Sequence, residues 1–327
     1  MDQTRDDARF PPGSMSGPVT RSDDAPAEGG CGDTTPDIEL IPSREAEVGR
    51  FRVRRALPRR ARRTVGAWCF ADHMGPADVS PDRGLDVGPH PHIGLQTVTW
   101  LISGEALHRD SLGSEQVIAP GQLHLMTAGH GIAHSEEATG YAGELQGIQL
   151  WVAQPEATRH GPAAFEHHAD LPQLDVGAGT ATVLVGALDG ASSPARRDTD
   201  HLGVDLDLRP GSVTLPLDVA HEHAVVVLEG RVTVHGEPVE PGTLAYLGVG
   251  HDELDLSTGG DARAMLLGGT PFEDELVMWW NYVGRTRDEV AAAHDAWTAR
   301  DADRFGEVAS SLPTIDTDPP PWGRPRG

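Results

Sequence analysis

The sequence predicts an all-β protein of two tandem halves, each a sandwich or small barrel, closed by one C-terminal helix. Three observations carry this expectation. Short segments rich in β-branched and aromatic residues recur from Ile38 onward, separated by Gly, Pro, Asp or Ser. Helical periodicity emerges clearly only after Thr286, and the two halves repeat the same marks in the same order.

Residues 1–38 carry Asp, Gly, Pro and Ser with almost no apolar periodicity and predict a disordered arm. A first β-domain is expected over 39–165, with strands near Gly49-Val53, Thr64-Phe70, Gln96-Ile102, Ala106-Asp110, Gln116-Ile118, Leu123-Met126 and Leu145-Val152. Residues 154–175 are polar and Pro-containing and read as a linker or covering loop. A second β-domain is expected over 166–285, from Ala181-Ala187 to Ala264-Leu267, and 286–327 should hold the helix and a Pro-rich tail. Val290, Ala293, His294 and Trp297 stand three and four apart, so that face should pack on the sheets; beyond Leu312 the chain should be loose or extended.

The repeat is visible in particular residues. His90-x-His92 precedes Leu101-Ile-Ser-Gly104 and Pro120-Gly121, while His221-x-His223 precedes Leu228-Glu-Gly230 and Pro241-Gly242. Only the first copy continues to His134-Ser-Glu136, so a second metal site is ranked below its absence, and His221 and His223 read as loop histidines.

At 327 residues the chain has room for two ordinary cores. A formal net charge of -24 repels phosphate and speaks against direct nucleic-acid binding. No apolar run approaches a membrane span and no signal-peptide core opens the chain, so a soluble, cytoplasmic protein without a membrane partner is expected. Cys31 and Cys69 supply neither a disulfide framework nor a thiolate site. The basic run from Arg50 to Arg63 admits an anion or partner patch. The preferred reading is a strand with Phe51 and Val53 buried and its arginines solvated.

The chemistry concentrates in two stretches. In extended backbone, residues two apart share a face, so His90 pairs with His92 and His134 with Glu136. Facing each other, they would form a three-histidine, one-carboxylate site suited to divalent iron, manganese, nickel, copper or zinc, with positions left open for substrate.

Together, Phe70-Ala-Asp-His-Met-Gly-Pro76, His90-Pro-His-Ile-Gly-Leu-Gln-Thr-Val-Thr-Trp-Leu101, His108-Arg-Asp-Ser-Leu-Gly-Ser114, Met126-Thr-Ala-Gly-His-Gly-Ile-Ala-His-Ser-Glu136, Gln149-Leu-Trp-Val152 and Trp280-Asn-Tyr-Val283 make the chain resemble the pirin family of bicupins. The resemblance implies two tandem cupin (jelly-roll) domains, the second degenerate, in a monomer. It implies a metal, Fe(2+) first and Mn, Ni, Cu, Zn or Co as alternatives, held by His90, His92, His134 and Glu136. It further implies dioxygenase opening of a flavonol such as quercetin, a chelating enol, with dioxygen as co-substrate and Glu136 taking the substrate proton. The alternative is a metal- and redox-sensing regulator that binds a protein partner, as a transcriptional cofactor does. Three departures from the family patterns stand out. Gln96 and Thr97 occupy the general cupin glutamate position, and His130 stands where pirins commonly carry Arg. His124, three residues after Gly121, rivals His134 as a ligand, with His134 preferred for its Met-Thr-Ala-Gly setting.

Overall fold

The computed structural model describes residues 38–48, 51–81 and 84–322, and their regular structure is nearly all β. In the first barrel a seven-stranded sheet is ordered Ala164–His168, Leu123–Thr127, Leu95–Ser103, Gly143–Ala153, Trp68–Val79, Phe51–Leu57, Arg44–Val48. It closes on a four-stranded sheet ordered Val87–His92, Ile132–Glu137, Ala106–Asp110, Glu115–Ile118, and both contribute to one core.

The second barrel repeats this order. Its large sheet runs Glu39–Pro42, Thr243–Gly248, Glu222–Glu229, Ala262–Gly269, His201–Leu208, Gly179–Val185, Gln173–Asp175, and its small one Gly211–Pro216, Glu253–Thr258, Val232–Val234, Glu237–Val239. The barrels exchange position at one edge. Glu39–Pro42, which precedes the first barrel in the chain, pairs with Thr243–Gly248 of the second. Ala164–His168 takes the matching place in the first, against Leu123–Thr127. The expected linker over 154–175 therefore contains two strands, Ala164–His168 and Gln173–Asp175. Their side chains are partly buried or exposed, which is why they lack an apolar signature.

Strand Leu95–Ser103 shows why the large sheets read as nearly continuous apolar runs: both faces are covered. Leu95 and Leu101 enter the first barrel's core, whereas Val98 and Trp100 enter a core shared with Ala224, Val226, Met265 and Leu267 of the second barrel. Trp68 pins that junction by donating its indole N–H to Leu202 O (3.0 Å) and Gly268 O (3.1 Å). Glycine is required opposite it, because a Cβ on Gly203 would fall 2.9 Å from the Trp68 ring.

The helix spans Arg287–Thr298, N-capped by Thr286, and buries Val290, Ala293, His294 and Trp297 as the spacing predicts. It ends at Thr298; a separate turn, Ala302–Phe305, follows after Arg300 at φ 58°. Both pack on Ile93, Ala133, Trp280 and Tyr282, beside the histidine-bearing strands. The tail is extended and docked, with Ile315 N–H on Pro89 O (2.9 Å) and Trp297 Nε1 on Ile315 O (3.0 Å). No helix among the described residues is long and apolar enough to cross a membrane.

Two expectations need correction. Phe51 and Val53 are buried as expected, but Arg55 is buried too, in a bidentate pair with Asp72 at 2.7 Å on each arm. Arg62 bonds Glu39 and stacks on Tyr246. His223 is no loop residue: it lies within strand Glu222–Glu229 and is fully buried. Apart from Ile38, the expected N-terminal arm lies outside the described residues, as do Cys31, Gly49 and Arg50.

Candidate metal centre

Alternation along Val87–His92 turns His90 and His92 to one side, and antiparallel pairing sets His134 directly opposite His90. Gly94 makes the turn out of this strand at φ +66°, where a Cβ would fall 2.1 Å from Val283 O. The ring centroids of His90, His92 and His134 lie 4.3–5.1 Å apart, and one nitrogen from each falls within 4.8 Å of the others. All three are at most 2 % exposed.

The hydrogen-bond network assigns the ring protons. His90 Nδ1 lies 2.9 Å from Gly88 O and His92 Nδ1 lies 3.0 Å from Asn281 O. Carbonyls only accept, so both protons sit on Nδ1 and both Nε2 atoms carry lone pairs. For His134 the assignment passes through two further residues. Asp110 Oδ2 accepts from His108 Nε2 (3.2 Å), leaving His108 Nδ1 to accept from His134 Nδ1 (3.4 Å). His134 Nε2 is thereby left bare as well, 3.1 Å from His92 Nε2.

Burial pushes His90 down to about 4 and holds His92 and His134 well below the ordinary imidazole range, with neighbouring imidazoles adding to the effect. Protons therefore do not relieve the facing lone pairs at neutral pH. A cation does: two bonds of about 2.1 Å meeting near a right angle separate their ligand atoms by about 3 Å. The unpartnered Nε2 of His90 completes a donor set that fits a divalent transition metal.

Glu136 follows on the same strand beyond a register shift, opposite Val87 and His108. It stands outside the tight three-histidine group. The residue is 4 % exposed, Oε1 has no hydrogen-bond partner, and burial pushes its pKa up to about 7. His124 lies on the opposite sheet, its Nε2 3.2 Å from His167 Nδ1, and does not join the cluster. His130 is exposed.

Sequence reasoning missed His108 and Asp110, although their alternation in His-Arg-Asp was available as a signal. Burial by itself would raise the Asp110 pKa, but hydrogen bonds from His108 and the Ser114 N–H outweigh it and hold the carboxyl below its usual range. Behind His92 stands a rigid aromatic wall: Trp151 meets its ring edge at 5.2 Å, Phe70 stacks on Trp151 at 4.0 Å, and Arg55 covers Phe70.

Comparison with known proteins agrees with this architecture. The family model described as Pirin matches residues 50–152, and the one described as Pirin C-terminal cupin domain matches residues 203–305. A Pseudomonas aeruginosa protein named "Putative quercetin 2,3-dioxygenase" is 49% identical over 288 residues, covering 87% of this chain and 91% of its own length. A "Pirin-like protein" of Caulobacter vibrioides is 38% identical over 276 residues, covering 80% and 93%. The crystal structure of a quercetin 2,3-dioxygenase from Acinetobacter baumannii superimposes with a TM-score of 0.83 at 40% identity, covering 86% of this chain and 95% of that one. With both domain models matched in order and relatives aligned along most of its length, the chain belongs to the pirin family of bicupins.

Proposed function

We propose that this protein is a metal-dependent dioxygenase that opens the ring of a flavonol such as quercetin, with Fe(2+) held by His90, His92, His134 and Glu136. The carrying observation is the convergence of three bare Nε2 atoms in a buried cluster, with no proton to reconcile them. The names of its P. aeruginosa and A. baumannii relatives support the substrate class. When bound, the ion supplies Lewis acidity toward the flavonol's adjacent hydroxyl and carbonyl, and a redox partner for dioxygen.

The residues of the chain do the rest. Gly88 O, Asn281 O and the His108–Asp110 pair hold each imidazole in its ligating tautomer, so no proton has to leave a histidine before the metal enters. Glu136 would be the fourth ligand and, with Oε1 unpartnered, the base that would take the flavonol hydroxyl proton. The Trp151–Phe70–Arg55 stack fixes the wall behind His92 and keeps bulk water from that side.

Oxygen uptake with quercetin by iron-loaded protein, compared with His90→Ala, tests this reading. Loss of uptake together with loss of bound iron is expected; undiminished uptake by the variant would refute it. The alternative, regulation through a protein partner, draws on the basic run, but Arg54, Arg55 and Arg62 of that run are engaged within the molecule. A cytoplasmic setting is part of the proposal.

A further inference from the structure

The second barrel carries a separate cluster at its mouth. His223 faces the barrel interior on strand Glu222–Glu229, is 0% exposed, and has no hydrogen-bond partner on either ring nitrogen. An unpartnered buried imidazole is destabilising, so the fold keeps it at a loss unless something binds it. A cavity of about 710 Å³ opens there, lined by His221, His223, Asp189, Asp200 and Asp218 with Arg197 as the counter-charge. His221 Nε2 lies 3.2 Å from Asp200 Oδ2 and 4.0 Å from Asp218 Oδ2, while Arg197 occupies the other oxygen of Asp200 at 2.8 Å.

We propose that this cavity takes up a second divalent metal ion, bound by His221 and His223 together with Asp200 and Asp218. The 3.2 Å separation of His221 Nε2 and Asp200 Oδ2 is what two bonds of about 2.1 Å subtend at one ion near a right angle. Unlike the first centre, this one is not preassembled. The His221 and His223 rings are 6.0 Å apart, against 4.3–5.1 Å in the first, so the site closes as the ion enters. Asp200 and Asp218, with side chains 57% and 58% exposed, have room to swing. Mixed imidazole and carboxylate donors suit zinc, nickel, cobalt, manganese or iron, and a chain carrying a net charge of -24 draws cations to it.

Full-length protein, stripped of metal and titrated with Ni(2+) by calorimetry with elemental analysis, tests the proposal without any activity assay. Wild type is expected to bind two ions per chain; His90→Ala/His92→Ala keeps one and His221→Ala/His223→Ala keeps one. The exposed pair Asp200→Asn/Asp218→Asn, which leaves the core intact, should weaken the second ion at least tenfold. One ion in wild type with none in His90→Ala/His92→Ala would overturn the second site and leave the first standing. Unchanged binding in the two second-barrel variants would overturn it as well. Failure of the first centre shows in different variants, so the two readings separate.

Discussion

Asp110→Asn is the sharpest probe of the first centre, because it changes one atom and touches no ligand. Asp110 Oδ1 accepts the N–H groups of Leu112 (2.9 Å) and Ser114 (3.0 Å), so the asparagine oxygen stays where those donors hold it. Its amide nitrogen then faces His108 Nε2, which must accept instead of donate. That reverses His108: its Nδ1 acquires the proton and points it at His134 Nδ1. His134 answers by moving its own proton to Nε2, the atom the metal needs. Loss of such a supporting hydrogen bond lowers metal affinity about 10- to 100-fold, or about 1.4–2.7 kcal/mol. Competition titration of apo protein with Ni(2+) against a chromophoric chelator measures it, with circular dichroism as the check that the barrel is intact. An affinity within about threefold of wild type would refute the proton assignment, and with it the case that His134 is presented ready to bind.

Other perturbations follow from the same contacts. Arg55→Met leaves the 1%-exposed Asp72 without its cation and should cost about 3–5 kcal/mol in urea unfolding; adding Asp72→Leu should recover most of it, and no recovery would show that packing dominates instead. Trp68→Phe removes an N–H shared by two carbonyls of the second barrel, predicting a loss of about 1–3 kcal/mol and earlier, separate melting of one barrel by calorimetry. Stability of the metal-free protein should fall as the pH drops below about 6.5. Burial sets His90, His201 and His223 at about 4 and His124 at about 3, so the unfolded chain binds more protons across that window, and each group removes about 2 kcal/mol by pH 5. Glu136, raised to about 7, works in the opposite direction, as do the raised Asp72 and Asp205, but the lowered histidines outnumber them. A flat profile between pH 7 and pH 5 would contradict these burial shifts.

How much of the site was legible depends on which part of each residue does the work. His90 and His92 could be read as a pair because strand alternation is a property of sequence spacing. The choice between His124 and His134 could not be made from spacing, because it rests on register: His134 pairs with His90, while His124 pairs across to Thr99 and His167. The groups that orient His90 and His92 are the carbonyls of Gly88 and Asn281, and a backbone oxygen has no signature in sequence. The fold shows the same division. The helix face Val290, Ala293, His294, Trp297 was visible from its period, whereas the edge strand Glu39–Pro42 was not, since its place in the second barrel depends on a partner some two hundred residues away.

The repeat lets one scaffold position be compared with itself. Where the first barrel sets His90 opposite His134, the corresponding strands of the second pair Leu215 with Leu254 and Val213 with Leu256, all buried in one apolar core. Each fully buried aliphatic side chain contributes about 1.5–3 kcal/mol, so this layer can be filled in a way that stabilises the barrel. The first barrel instead holds three desolvated imidazoles with lone pairs toward one another and a carboxyl with a bare oxygen. Local rules of packing and polar satisfaction are broken in this layer of the first barrel and kept in the same layer of the copy, and such a conflict is retained where a site requires it. The contrast also explains where the second barrel's histidines sit. With its interior layer closed by Val213, Leu215, Leu254 and Leu256, the polar groups are left to the rim, where His221 lies against the carboxylates of Asp200 and Asp218 and His223 lines the same cavity.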